Sequence, residues 1–399
     1  MTGCKAMKWM NKGHEFDVAA ELYKKDNIIS RNIFIFGAGK LGVDFSKIVE
    51  YFGVLTGFID NNEEKQGRII RGLKIVSIRK FLSDRVHNEL IVICMNREYV
   101  NEVVRQLEQY QLKQYKDYMT QSEYERRIRI TFFYEKNIVY IPLVQISLTE
   151  RCTLRCKKCA HACNLVPATK RDLSLESAKK SADYFFKFVD FVGEFVLIGG
   201  EPFLYNELEE IIEYIGYHYR KQIGNFSITT NGTLIPNNDV ITACKMYDVM
   251  IRVSNYSITL PFLQDKIQLF KRKMDNNNIK CLVSKDSGNW MDYGFDYVNR
   301  NASPKQLEKV FDDCNTPCHE VRENRFYYCV MARSVAENMN KFVGGNDYFD
   351  LIQENNELGR TIFFEYAMGF SDKGYLDMCN YCYGVDAINH PIPKAEQMK

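Results

Sequence analysis

Between Cys152 and Cys163 four cysteines fall within twelve residues, Cys152, Cys156, Cys159 and Cys163, with Arg151, Arg155, Lys157 and Lys158 around them. Thiolates are metal ligands and nucleophiles, and cationic neighbours lower thiol pKa values and offset the negative charge of a multi-thiolate site. The same cations also suit a solvated loop. Of the thirteen cysteines, nine are grouped: this quartet, then Cys314, Cys318 and Cys329, then Cys379 with Cys382. Cys4, Cys94, Cys244 and Cys281 stand alone and are read as buried small hydrophobes. The first residues carry no apolar leader, and no run approaches the roughly 20 apolar residues that cross a bilayer. The expected location is therefore cytoplasmic, where thiols stay reduced and clustered cysteines hold metal rather than disulfides.

The bulk composition narrows the function classes. A length of 399 residues predicts two or three units, and 46% hydrophobic and 13% aromatic residues supply real cores. Lys plus Arg at 53 against Asp plus Glu at 51 leaves no electrostatic case for nucleic acid or an anionic membrane as partner.

Elements that could position the thiols follow from the hydrophobic pattern. "NIFIFGAGKLGVDFSKIVEYFGVLTGFIDNN" reads as strand, glycine turn, helix from about residue 40 to 51, and a second strand ending at Asp60. Gly37, Gly39 and Gly42 have the G-x-G-x-x-G spacing that lets a pyrophosphate approach a helix N-terminus, and Asp60 stands near the distance expected for a ribose contact. "ELIVICMN" predicts a third buried strand, and a helical pattern closes this domain near residue 118. The expected division is an N-terminal segment 1–30, a domain 31–118 and a linker 119–140. "IFGAGKLG", "GFIDNN" and "RGLKIVSI" together resemble the Rossmann-like N-terminal domains of bacterial sugar-modifying enzymes such as nucleotide-sugar acyltransferases. That resemblance implies a nucleotide or nucleotide-sugar site on Gly37, Gly39, Gly42 and Asp60, although such domains also serve as scaffolds.

From about residue 140 the chain alternates strands and helices: "PLVQISLT", a helix at 174–189, "FVLI", a helix near 207–219, "FSITT", a helix near 238–246, "MIRVS" and "IKCLVS". Parallel strands with helices outside are expected, as an open or closed barrel, with functional groups where strands end. The cysteine quartet follows the first strand, Gly199 and Gly200 the second, Asn231 and Gly232 the third, and Ser254 ends the fourth.

Cys152, Cys156 and Cys159 make the C-x3-C-x2-C pattern, and "GGEP" at 199–202 and "TNG" at 230–232 follow in the same order as in the radical S-adenosylmethionine (SAM) superfamily, which the chain resembles on these residues. The resemblance implies a 4Fe-4S cluster on Cys152, Cys156 and Cys159 with one open iron for SAM, whose reductive cleavage yields a 5′-deoxyadenosyl radical. It implies an electron donor such as flavodoxin or ferredoxin. It places Gly199, Gly200, Glu201 and Pro202 at the methionine amino group, and makes Ser227, Asn231 and Ser254 candidates for ribose and carboxylate contacts; for Ser227 and Ser254 an ordinary strand serine is the alternative. Where the family often has an aromatic before the third cysteine, this chain has Lys158. His161 and Cys163 lie outside the pattern and would be recruited by a structural zinc site.

The remaining cysteines, in "FDDCNTPCHEVRENRFYYCVMARS" and "CNYCYG", resemble the twitch or shortened SPASM extension of radical SAM enzymes, implying an auxiliary 4Fe-4S cluster on Cys318, Cys329, Cys379 and Cys382. Cys314 is a fifth candidate that could replace Cys318, and a zinc ribbon also satisfies the spacing. The expected fold is α/β: a Rossmann-like domain, a partial (β/α)6 radical SAM barrel over 141–305 and a twitch/SPASM-like extension over 306–399. The overall likeness is to radical SAM proteins encoded beside bacterial surface-polysaccharide genes, implying a carbohydrate or nucleotide-sugar substrate, with oxidation aided by the auxiliary cluster. Peptide modification is one rival reading. A zinc-stabilised nicotinamide-dependent sugar oxidoreductase, or a nucleotide-sugar binding scaffold, is another. Asn289, Trp290, Asp292 and Tyr256 could line a sugar site or simply pack, and "YFFKFVDFV" at 184–192 reads as helix core.

Overall fold

The structure is a computed structural model; it describes residues 15–166, 172–294, 298–314, 318–339, 347–353, 355–369 and 373–398. The chain divides into two compact units, Gly13–Tyr140 and one built from Ile141–Lys399.

In the first unit the elements are α1 (Glu15–Lys25), β1 (Asn32–Phe36), α2 (Lys40–Phe52), β2 (Val54–Ile59), β3 (Ile69–Ile70), β4 (Leu73–Val76), α3 (Ile78–Asp84), β5 (Glu89–Ile93), α4 (Arg97–Gln109), β6 (Tyr118–Thr120) and α5 (Gln121–Lys136). The sheet order is β3-β4-β2-β1-β5-β6. All its pairings are parallel except β3–β4. Every residue of the inner strand β5 is buried, as expected where helices cover both faces of a parallel sheet.

The segment 119–140, expected to be a linker, is instead the edge strand β6 and helix α5. Its start is specified locally: Thr120 accepts from the Glu123 amide and the Glu123 carboxylate accepts from the Thr120 amide, a capping box. Tyr124, Ile128 and Phe132, four residues apart, then bury one helical face. Part of the expected N-terminal segment is likewise helical, as α1.

The second unit contains β7 (Tyr140–Thr149), α6 (Leu175–Phe188), β8 (Phe191–Gly199), α7 (Leu208–Tyr219), β9 (Ile223–Thr230), α8 (Asn238–Met246), β10 (Val249–Val253), α9 (Leu263–Asn276), β11 (Cys281–Val283), β12 (Asn289–Met291), α10 (Pro304–Asp313), β13 (His319–Arg322), β14 (Arg325–Tyr327), α11 (Val330–Arg333), β15 (Tyr348–Asp350), α12 (Glu357–Ala367) and β16 (Pro391–Pro393). One sheet has the order β11-β10-β9-β8-β7-β13-β14-β15. Strands β8 to β11 pair in parallel in the expected sequence. Among the described residues, the segment from 306 onward does not form a sheet of its own. Strand β13 pairs in parallel with β7, His319 opposite Val144 and Glu320 opposite Gln145, and antiparallel β14 and β15 extend the same sheet. A two-stranded pair, β12 with β16, is separate.

Of "YFFKFVDFV", expected to be helix core, Phe185, Phe186 and Phe188 of α6 are buried, Phe185 stacking on Phe326 with centroids 6.3 Å apart, but the helix ends at Phe188 and Phe191 and Val192 open β8. Cys94, Cys244 and Cys281 are buried as expected, while Cys4 lies outside the described residues. Among the described residues no helix is long and apolar enough to cross a membrane.

Candidate functional site

The cysteine loop leaves β7 under tight control. Thr149 Oγ1 accepts from the Arg151 amide at 3.0 Å and donates to Asp172 at 2.5 Å, and the Arg151 guanidinium reaches the same carboxylate at 2.8 Å. Lys157 pairs with Glu396, and Lys158 with Asp292 at 2.9 Å. Three of the four cations expected to offset thiolate charge are therefore occupied by carboxylates. Burial dominates the first two thiols, pushing Cys152 up to about 12 and Cys156 up to about 11. Cys159 is lowered, chiefly by its hydrogen-bonding interaction with Cys163 and further by the charge of His161. In the structure the Cys163 thiol donates to Glu150 Oε2 at 3.3 Å, a contact the spacing did not reveal.

The "GGEP" turn interlocks with this loop. Gly199 has φ +148° and a Cβ there would strike the Thr149 carbonyl oxygen; a Cβ on Gly200 would strike that of Arg151. Only glycine permits this approach, which two hydrogen bonds close: Gly200 N to Thr149 O at 2.7 Å and Glu201 N to Arg151 O at 2.8 Å. Glu201 is wholly buried. Its carboxylate accepts from Thr230 Oγ1 at 2.7 Å, Asn231 N at 2.9 Å and Phe203 N at 3.3 Å, and burial raises its pKa to about 7. Pro202 opens the short turn Pro202–Leu204. Asn231 completes the link, its amide donating to Cys152 Sγ at 3.6 Å and Thr153 Oγ1 at 3.0 Å.

The two serines differ. Ser254 hydrogen-bonds the Tyr256 hydroxyl, which desolvation raises above its ordinary range and which is within electrostatic reach of Cys152, Cys156 and Cys159. The Tyr256 ring meets Trp290 edge-on at 5.4 Å. Ser227, in contrast, donates to Glu194 at 2.7 Å, and Glu194 is paired with Arg252 at 2.6 Å. Glu194 and Arg252 were missed. The signal was a single charge in each of two otherwise apolar strands, "FVGEFVLI" and "VMIRV".

A second missed group lies beneath the loop. Arg333, wholly buried, contacts Glu150 at 2.5 Å and Ser147 Oγ at 2.9 Å. Its Nε stands 2.7 Å from Glu320 Oε1 but off the hydrogen-bonding direction, so that contact is an ion pair only. Burial alone would raise Glu150, yet Arg333, Arg322 and His161 hold it below the ordinary carboxylate range. Glu320 is raised by burial. The cluster thus favours ionisation at Glu150 and opposes it at Glu320. Nothing about a lone arginine in "VMARS" marks it as this hub.

Cys314, Cys329, Cys379 and Cys382 line one cavity with Val310, Phe311, Tyr328, Leu376 and Met378. Cys318 is not among its lining residues. Cys314, which follows α10, lines the cavity, while Cys318, raised by burial to about 11, is within electrostatic reach of Glu194, Glu320 and Cys314. Asp347, also missed, accepts from the amides of Asp377 at 2.7 Å and Met378 at 2.9 Å and so holds the turn that carries Cys379 and Cys382. Among the described residues no three His, Cys, Asp or Glu side chains are drawn in to metal-holding spacing. The donor chemistry nevertheless fits iron-sulfur ligation: thiols grouped at two places, with N–H donors at Cys152, Cys156 and Cys382.

In the first unit Gly37 has φ +117°, and a Cβ there would strike the Cys94 carbonyl; one on Gly42 would strike that of Gly37. Gly39 faces open space at φ −93°. Asp60, expected at a ribose, accepts from the Ala38 amide and from Lys65 Nζ, both at 2.9 Å. Its carboxylate closes its own glycine turn.

Residues 146–280 match the radical SAM superfamily. This stretch resembles a radical SAM domain. It holds the cysteine loop, "GGEP" and "TNG". An uncharacterised protein of Methanocaldococcus jannaschii is 31% identical over 110 residues, 27% of this chain and 36% of that protein. The GTP 3′,8-cyclase of Syntrophomonas wolfei is 28% identical over 157 residues, 38% of this chain and 43% of the cyclase. The chain thus spans less than half the length of these curated relatives. Among solved structures, BtrN in complex with AdoMet and 2-DOIA aligns over 65% of this chain and 97% of BtrN, with TM-score 0.37 and 13% identity.

Proposed function

We propose that the protein is a radical SAM enzyme that abstracts hydrogen from a carbohydrate or nucleotide sugar, with oxidation as the outcome. The observation that carries the reading is the interlock of the cysteine loop with the glycine turn, through Gly199, Gly200, Glu201 and Asn231, inside the stretch that matches the radical SAM superfamily.

Cys152, Cys156 and Cys159 would hold a 4Fe-4S cluster. When bound, such a cluster with three thiolate ligands keeps one iron for SAM and supplies the electron that cleaves it. Glu201, fastened to Thr230 and Asn231, would present the "GGEP" backbone to the methionine moiety. Tyr256 and Trp290 offer an aromatic wall beside the thiols, suited to a sugar face, and Lys158 with Asp292 offers polar groups for hydroxyls. Cys314, Cys329, Cys379 and Cys382 would hold an auxiliary 4Fe-4S cluster, which would supply an electron acceptor for the oxidation. A flavodoxin or ferredoxin of the cytoplasm would serve as donor to the first site.

Protein purified and reconstituted without oxygen is expected to be brown, with about eight irons per chain. With SAM and a reductant it should release 5′-deoxyadenosine, increasingly so with one member of a panel of nucleotide sugars. Cys156→Ala should abolish that release. Colourless protein carrying one or two zinc ions, or full cleavage by the Cys156 variant, refutes the proposal.

A further inference from the structure

The C-terminal residues turn back onto the cysteine loop. Strand β16 first pairs with β12, Pro393 opposite Asn289, and the Lys394 amide donates to Gly288 O at 2.9 Å. Ala395, wholly buried, then takes φ +56°, a left-handed conformation that residues other than glycine seldom adopt. That turn delivers Glu396, Gln397 and Met398 alongside Arg155, Cys156 and Lys157. Lys157 N donates to Glu396 O at 2.8 Å, and Met398 N to Arg155 O at 2.7 Å. The Gln397 side chain uses both ends: its oxygen accepts from the Arg155 amide at 2.7 Å, and its nitrogen donates to Ala395 O at 2.6 Å and to Cys156 Sγ at 3.4 Å.

We infer that Gln397 is a positioning residue of the iron-sulfur site, fixing the loop through Arg155 and tuning the cluster through an N–H···S bond to Cys156. The inference rests on the proposal that Cys156 binds iron. The arrangement is a long-range one, the partners lying 241 positions apart in the chain, and it is built from backbone pairing on both sides of the glutamine rather than from one surface contact. A donor to a cluster sulfur favours the more electron-rich, reduced state, and hydrogen bonds to sulfur are among the factors that set cluster potentials. Gln397 should therefore raise the midpoint potential of the cluster that SAM contacts.

The test is an anaerobic redox titration of the reconstituted full chain, followed by electron paramagnetic resonance of the signal that SAM perturbs. In Gln397→Met, which keeps the side-chain length and removes the hydrogen bonds to Arg155, Cys156 and Ala395, that midpoint should fall while iron per chain stays at the wild-type level. Glu396→Ala is the control. It leaves Gln397 and the backbone pairing in place, removes a carboxylate from the loop, and should not lower the midpoint. An unchanged midpoint in Gln397→Met overturns the inference, as does an equal fall in Glu396→Ala or loss of the cluster from Gln397→Met. Wild-type protein with no SAM-sensitive cluster would instead refute the proposed function itself.

Discussion

Arg333 offers the sharpest energetic test. It is completely buried, with Glu150 at 2.5 Å and Glu320 at 2.7 Å. Unit charges about 3 Å apart attract by about 5 kcal/mol at an effective dielectric of about 20. Removing the cation leaves the ionised Glu150 with only the more distant charge of Arg322 and, in hydrogen-bond contact, the neutral donors Asn338 Nδ2 at 2.9 Å and Cys163 at 3.3 Å. Breaking a buried pair from one side costs about 3–5 kcal/mol, so Arg333→Met should destabilise the second sheet by that amount. Hydrogen exchange of the β7 and β13 amides measures the opening free energy of this sheet directly. Adding Glu150→Gln to Arg333→Met removes the stranded charge and should recover more than half of the loss. A loss below about 1 kcal/mol in Arg333→Met, the level of an exposed ion pair, refutes the assignment of Arg333 and Glu150 as the charged core of the site.

Two further outcomes follow from the geometry. Cys314→Ser should lower iron by about four per chain, the content of one cubane cluster, whereas Cys318→Ser should keep the wild-type count; elemental analysis decides, and the opposite pattern would restore Cys318 to the cavity. Glu201 predicts a pH dependence in the apoprotein. Burial lifts its folded pKa from 4.5 to about 7, so between those values the folded state keeps a proton the unfolded chain has released. Stability from this group is complete below pH 4.5 and is lost as pH rises to 7, by about 3 kcal/mol at most. Glu201→Gln should flatten that slope in thermal unfolding across this range, and an unaltered slope would show that another group carries it.

Much of the architecture was legible because its signals are local. A helix near 238–246 is observed as Asn238–Met246, since an apolar period of 3.6 residues together with a capping asparagine specifies a helix from neighbours alone. The strand ends that carry the thiols, the glycine turn and Asn231 could be ordered from the βα rhythm for the same reason. Thr120 with Glu123 was an equally local signal, overlooked at the position expected to be a linker.

The sequence by itself determined the chemistry: which residues supply thiols, which glycines admit a close backbone, and in which order they meet. Tertiary structure decided the partners. It set Cys314 rather than Cys318 at the cavity, engaged Asp60 with its own turn, joined Ser227 to Glu194 and Arg252, buried Arg333 against Glu150, and brought Gln397 to Cys156. Spacing along a chain fixes geometry over a few residues, whereas these contacts depend on how strands align in register across the sheet and on which polar groups burial leaves in need of a partner.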